Sequence, residues 1–141
     1  MFTHDDILQA TMARANGAVK MVTSVSTDSR TLHPGALFVA LRGEQHDGHR
    51  FAADAVRRGA VAVMVQCELD VAVPHYVVED TLAAYQALAA YHRNRFALPV
   101  IGITGTNGKT TVKEMVAALL ARAGEPLYSE GNYNNHVGVN I

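Results

Sequence analysis

The sequence is short of most groups that announce a compartment or a chemistry. It holds one cysteine, no tryptophan, four prolines and 6% aromatic residues in 141 positions. A lone thiol closes no internal disulfide and cannot build a zinc knuckle, so Cys67 reads as a structural residue near a strand end. Neither charge sign is in excess. Twelve Lys and Arg stand against 13 Asp and Glu, a formal net charge of -1, which leaves no global basic field to draw in nucleic acid or an anionic membrane. Long apolar runs are also missing: residues 60–65 are apolar throughout, but a helix needs roughly 20 such residues to cross a bilayer. The opening Met-Phe-Thr-His-Asp-Asp is acidic where a secretory signal is basic. The expected address is therefore the cytoplasm, with no nucleic-acid or membrane partner.

What is present is apolar material for a core. Forty-nine per cent hydrophobic and 18% charged residues is a globular composition, and the length is that of one ordinary domain. Thr3 and Asp6 predict a capping box opening a short helix through Ile7, Leu8 and Thr11, closed by Asn16-Gly17. Strand-forming residues fill 19–25 and 37–41, with His33-Pro34-Gly35 as the turn between them. Phe51, Ala52, Ala55 and Val56 share a helical face, Asp54 is spaced to pair with Arg57 or Arg58, and Gly59 stops the helix before a strand at 61–65. A strand at 75–78 leads to Asp80 or Thr81 as a cap and to a stripe of Leu82, Tyr85, Ala89, His92 and Phe96. After Pro99, residues 100–104 read as a second buried strand. Val112, Met115, Val116, Leu119 and Ala123 form a further helical stripe ended by Gly124, and a last strand is expected at 126–129. Strands alternating with helices predict an α/β fold with a mainly parallel sheet. The expected organisation is a small N-terminal α/β domain over 1–97, followed over 98–141 by the first strand, phosphate loop and helix of a second α/β domain.

The sharpest chemical feature is Gly105-Thr106-Asn107-Gly108-Lys109-Thr110-Thr111, between the predicted strand and the predicted helix. Glycines let backbone N–H groups turn toward an anion and the helix N-terminus adds its positive dipole end. Lys109 supplies a charge for the β- and γ-phosphates, and Thr110 a hydroxyl for Mg²⁺. The general phosphate-loop spacing puts its first glycine at position 103, which is Ile103, so this is a variant loop; the plainer reading is a glycine-rich turn that holds a lysine. Upstream, Asp28-Ser29-Arg30 follows a strand. It could meet an anionic or sugar-bearing ligand, but spacing favours a solvated turn with a local Asp to Arg pair. The segment Glu44-Gln45-His46-Asp47-Gly48-His49 offers two histidines without a third fixed metal ligand, so a ligand-contacting or helix-capping loop is the better reading. Gly131-Asn132-Tyr133-Asn134-Asn135 is equally readable as a ligand-orienting amide cluster and as an ordinary turn.

Taken together, STDSR at 26–30, PGALFVALRG at 34–43, DGHRF at 47–51, GITGTNGKTTVKEM at 102–115 and GNYNNHVGVN at 131–140 resemble the Mur ligases of bacterial cell-wall synthesis, in register over nearly the whole chain. The VKEM continuation and the Asn-Asn-x-x-Gly-Val loop are most similar to the branch that adds D-alanyl-D-alanine to UDP-N-acetylmuramoyl-tripeptide, rather than the one adding the third amino acid. The resemblance implies an N-terminal domain for the UDP end of the muramyl peptide and a central ATPase domain. ATP would phosphorylate the substrate carboxylate, and the incoming amine would displace phosphate from the acyl phosphate. It further implies that Gly105, Thr106, Asn107, Gly108, Lys109, Thr110 and Thr111 bind ATP, with Lys109 and Thr110 catalytic and Thr110 on Mg²⁺. Thr27, Ser29, Glu44, Gln45 and His46 would line the uridine site, and Asn134 and Asn135 would face the muramyl-pyrophosphate.

The chain departs from the family pattern at Asn140, where proline is expected, and in lacking the Mg²⁺ carboxylate, the modified lysine and the amine-binding domain. By itself it is expected to catalyse nothing. The full enzyme is expected to be a monomer, and this chain to pair, if at all, through residues after Leu98. Alternatives are a non-catalytic UDP-sugar-binding module, a ligase adding the third amino acid, and the folate polyglutamylating ligases, against which the Asp28-Ser29-Arg30 and Asp47-Gly48-His49 segments speak.

Overall fold

A computed structural model describes residues 1–43 and 46–128. The chain divides into two compact units, Met1–His92 and Arg93–Ile141. In the first, a five-stranded sheet has the order β1-β5-β4-β3-β2. It is built from β1 (Arg14–Ala15), β2 (Ser24–Ser26), β3 (Ala36–Val39), β4 (Ala62–Val65) and β5 (His75–Val77). Strands β2 to β5 are parallel neighbours, with Val25 opposite Leu37, Phe38 opposite Val63 and Met64 opposite Tyr76; β1 runs antiparallel to β5. The mainly parallel α/β expectation holds. Parallel strands are covered on both faces, and β3 and β4 are buried at every position.

Alternation of side chains across the sheet divides its residues between two cores. Phe38, Ala40, Val63 and Val65 cluster with Ala52 and Ala55 of helix α2 (Ala52–Arg57). Leu37, Val39, Met64 and Tyr76 occupy the alternate positions. The Tyr76 hydroxyl lies 2.7 Å from His4 Nδ1 of α1 (His4–Thr11), and Ile7 of α1 and Leu88 of α3 (Thr81–Asn94) are also buried. Tyr91 of α3 donates to Asp6 of α1 at 2.8 Å.

Local signals account for the helix ends. Thr3 and Asp6 form the predicted reciprocal capping box. Helix α1 nevertheless stops at Met12, in the left-handed region at φ 54°, well before Asn16-Gly17. Asp80 caps α3 by accepting from Leu82 and Ala83 N–H. The buried side of α3 is Ala84, Tyr85 and Leu88, while Phe96, expected on that face, lies beyond the helix and is exposed. Phe51 is likewise exposed, because it ends a 3-10 turn (Gly48–Phe51) ahead of α2. Of the 19–25 stretch only Ser24 and Val25 join the sheet, in β2, and Val22 instead pairs with Phe2 as an isolated bridge. Cys67 follows β4 closely but is exposed.

The second unit departs further from expectation. Residues 100–104 form no strand, and Val100 and Ile101 are 72% and 57% exposed. A strand needs a neighbour to satisfy its backbone groups, and no strand is found among the described residues of this unit. Residues 126–128 form no strand either. Helix α4 (Lys109–Leu120) does form, but of its apolar stripe Val112, Met115 and Leu119 are exposed, and Ala117 is the buried position.

Candidate functional site

Two clusters merit chemical description, one in each unit. In the first, the parallel strands β2 to β5 all end on one edge, and the loops leaving that edge carry the polar motifs. Ligands of open α/β sheets bind outside the carboxyl ends of the strands. After β2, Arg30 grips Asp28 with both Nε and Nη2, at 2.7 to 3.2 Å. These hydrogen bonds, with one from the Arg30 backbone N–H, hold the Asp28 carboxyl at about 2. The local pair favoured by spacing is thus observed. Ser29 is buried, and its hydroxyl helps to lower the Asp54 carboxyl of α2. Burial alone would raise the Asp54 carboxyl, but bonds from Ser29 and Arg57 and the charge of Arg58 outweigh it and leave the group below its ordinary value. Thr27, beside this turn, is half-buried.

After β3, residues 41–43 and 46–48 pair antiparallel. Gly48 N–H donates to Leu41 O at 2.8 Å, Gly43 N–H to His46 O at 2.8 Å, and Arg42 bridges Asp47. A Cβ at Gly48 would stand 2.6 Å from Leu41 O and 2.8 Å from Leu41 N, so only glycine allows this approach. Asp47 accepts from His49 N–H and caps the 3-10 turn, one of the two roles expected for this loop. His49 Nδ1 lies 2.6 Å from Asp47 Oδ1, and its Nε2 accepts from Gln66 N–H at 2.9 Å. The hydrogen bonds from His49 hold the Asp47 carboxyl below its ordinary value.

With both ring nitrogens engaged, His49 has no lone pair left for a metal. No cluster of three His, Cys, Asp or Glu suited to a metal occurs among the described residues. His46 is exposed. Glu44 and Gln45, assigned to the same site, lie outside the described residues, as do Asn134 and Asn135. The structure brings Thr27 and His46 to the same sheet edge and turns Ser29 inward. Sequence reasoning passed over Gly48 and the second partner of His49; the Asp-Gly-His triplet signalled the cap but not the contact with Gln66, 17 residues away.

In the second unit, the glycine loop opens α4 as expected. Gly108 is the N-cap residue in the left-handed region at φ 75°, with no side chain capping the helix. The first-turn N–H groups of a helix have no acceptor inside it, and the dipole adds positive potential there. Lys109, the first helical residue, folds its ammonium onto Gly105 O at 2.6 Å. Thr110 and Thr111 follow in the same turn, with Thr106 and Asn107 before it.

A cavity of about 1030 Å³ opens beside this loop, at the upper end of the range for small-molecule sites. Thr106, Asn107, Lys109 and Thr110 form part of its lining, and Ile103 and Val116 contribute apolar wall. The lysine and glycines fit a phosphate chain. For Mg²⁺ the loop offers the Thr110 hydroxyl, and a single protein ligand suits an ion that keeps waters and is held mainly through substrate phosphates.

Comparison with known proteins agrees with this fold. The family model described as Mur ligase family, catalytic domain, matches residues 21–122. UDP-N-acetylmuramoyl-tripeptide--D-alanyl-D-alanine ligase of Escherichia coli K12 is 47% identical over 123 residues, covering 87% of this chain and 27% of its own length. The solved UDP-N-acetylmuramoylalanyl-D-glutamyl-2,6-diaminopimelate--D-alanyl-D-alanyl ligase of Acinetobacter baumannii superposes with a TM-score of 0.93 at 37% identity, over 99% of this chain and 32% of that one. MurF ligase of Thermotoga maritima in complex with ADP gives a TM-score of 0.75 at 31% identity, over 83% of this chain and 27% of that one. The chain thus spans about a third or less of the relatives it matches, yet the family match takes in both the strand-edge motifs and the glycine loop, and by that match the chain belongs to the Mur ligase family.

Proposed function

We propose that this chain supplies the sugar-nucleotide site and the opening of the ATP site of an ATP-dependent ligase. That ligase joins D-alanyl-D-alanine to UDP-N-acetylmuramoyl-tripeptide in peptidoglycan precursor synthesis. The observation that carries the reading is the start of α4: a left-handed glycine cap, a lysine in the first helical position and an adjacent cavity of nucleotide size. Similarity to D-alanyl-D-alanine ligases favours that acceptor over a third amino acid. Residues 1–97 serve the UDP-muramyl peptide, and 98–141 begin the ATP-binding domain. The partners are small molecules, and no helix among the described residues is long and apolar enough to cross a membrane.

In the reaction the terminal carboxylate of the tripeptide attacks the γ-phosphorus of ATP and ADP leaves. The D-alanyl-D-alanine amine then attacks the acyl carbon, loses a proton and expels phosphate, leaving an amide. Phosphoryl transfer asks mainly for positioning and charge neutralisation. Lys109 exchanges Gly105 O for the phosphate oxygens, and the N–H groups of the α4 first turn, from Lys109, Thr110 and Thr111, hold them in place. Mg²⁺ when bound neutralises phosphate charge, with Thr110 as its ligand from this loop. At the sheet edge Thr27 and His46 contact the uridine together with Glu44 and Gln45, and Asn134 and Asn135 face the muramyl-pyrophosphate. Ser29 is buried, so it holds the shape of the 27–30 turn. The 141 residues bind ligands without turnover.

Calorimetric titration of the chain with UDP-N-acetylmuramoyl-tripeptide, and separately with Mg-ATP, tests this. Sugar-nucleotide binding weakened in Ser29→Ala, and ATP binding lost in Lys109→Ala, are the expected results. Absence of sugar-nucleotide binding in the wild-type chain would overturn the domain assignment, and sugar-nucleotide binding with no ATP binding would leave a UDP-sugar module.

A further inference from the structure

We propose that His49 is a positioning residue for the sugar-nucleotide site, pinning the paired arms 41–43 and 46–48, termed the hairpin, to the carboxyl end of β4 through a single neutral tautomer. The proposal rests on the sugar-nucleotide reading above. The tautomer follows from the partners. Gln66 N–H can only donate, so His49 Nε2 must present its lone pair at 2.9 Å. The ring proton then sits on Nδ1 and is donated to Asp47 Oδ1 at 2.6 Å. The side chain is 11% exposed, so water competes weakly for either bond.

The three residues join separate parts of the site edge. Gln66 is the first residue after β4, whose neighbours on the two sides are β3 and β5. Its side-chain Nε2 donates to Glu79 O, just past β5, at 2.8 Å. Asp47 lies on the hairpin bearing His46 and faces Arg42 across it. Hydrogen bonds therefore run from the end of β5 through Gln66 and His49 to the hairpin. Among the described residues, the His49 to Gln66 bond is the one hydrogen bond tying this hairpin and its 3-10 turn to β4. Gln66 Oε1 is buried without a partner, so Gln66 is held by its two N–H donors, and loss of His49 removes the acceptor of one. A loop set within a fraction of an ångström by such a contact transmits its position to whatever it binds.

The test compares two near-isosteres by calorimetry with UDP-N-acetylmuramoyl-tripeptide and by amide hydrogen exchange at Gln66. His49→Asn places an amide near the Nδ1 position, keeps a donor for Asp47 and falls short of Gln66. His49→Gln places an oxygen near the Nε2 position and restores the acceptor. His49→Asn should bind about tenfold more weakly, equivalent to one net hydrogen bond of about 1.4 kcal/mol, and lose exchange protection at Gln66. His49→Gln should return to within about threefold of wild type with protection regained. A purely structural role would lower thermal stability in both without separating their affinities. In the wild-type chain, which does not depend on a variant folding, saturation with the sugar nucleotide should slow Gln66 exchange about tenfold. Equal affinity in wild type and His49→Asn, equal losses in both variants, or unchanged Gln66 exchange on saturation would each overturn the positioning role while leaving the binding function intact. Absence of binding in the wild-type chain would overturn both.

Discussion

Replacing Gly48 by alanine tests whether the hairpin at the sheet edge is held by direct backbone contact. The added Cβ would lie 2.6 Å from Leu41 O, 2.8 Å from Leu41 N and 2.9 Å from the Ala40 carbonyl carbon. All three atoms are backbone and cannot rotate aside. Gly48 is not among the residues with positive φ, so the objection is steric and not conformational. Relief requires the two arms to part, which weakens the 2.8 Å bond from Gly48 N–H to Leu41 O. Overpacking of this kind costs about 1–3 kcal/mol, and a weakened backbone hydrogen bond adds about 1 kcal/mol. A total near 2–4 kcal/mol, at a urea dependence of about 2 kcal/mol per molar, lowers the unfolding midpoint by about 1–2 M. Gly43→Ala in the same hairpin is the control, because its Cβ would meet only His46 O at 3.7 Å; its cost should stay within about 0.5 kcal/mol. Far-ultraviolet circular dichroism of urea melts reads both. A Gly48→Ala midpoint indistinguishable from wild type, or equal shifts in the two variants, would refute the close-approach argument.

Thr81→Val should cost about 1–3 kcal/mol in the same melts, since the hydroxyl donates to Ala40 O at 2.9 Å in a buried site and valine leaves that carbonyl unsatisfied at similar volume. Arg30→Ala should raise the Asp28 carboxyl from about 2 toward 3.8 in a carbon-detected NMR titration. Because the folded value is depressed, the stabilisation it brings is present above pH 3.8 and lost as pH falls through about 2, so the variant should lose that acid-limb contribution. The exposed Met115 and Leu119 of α4 form an apolar surface of the kind that drives association. Light scattering of the whole chain should show concentration-dependent pairing that the double variant Met115→Glu, Leu119→Glu suppresses; pairing unchanged in the variant would exclude this face.

Features written within one or two helical turns were legible in the sequence. The Thr3 and Asp6 capping box, the Asp80 cap, the pairing of Asp54 with Arg57 and Arg58, and a helix opening at the glycine loop all depend on residues two to four apart, and each appears in the structure. The parallel α/β architecture was legible for a related reason: the apolar runs at 37–41 and 61–65 have the strand length and glycine punctuation that buried parallel strands require.

Tertiary structure decided everything that needs a partner from elsewhere in the chain. The apolar run at 100–104 resembles the one at 61–65, but only the latter has strands on both sides to take its backbone hydrogen bonds. Ser29 and His49 looked alike as polar residues in edge loops. Packing buried Ser29 and gave His49 a backbone partner beyond β4. Composition and spacing fix which groups are available and which short-range bonds they make. Which groups are left facing a ligand is set by long-range neighbours, because a buried donor or acceptor takes the partner that the fold brings within about 3 Å.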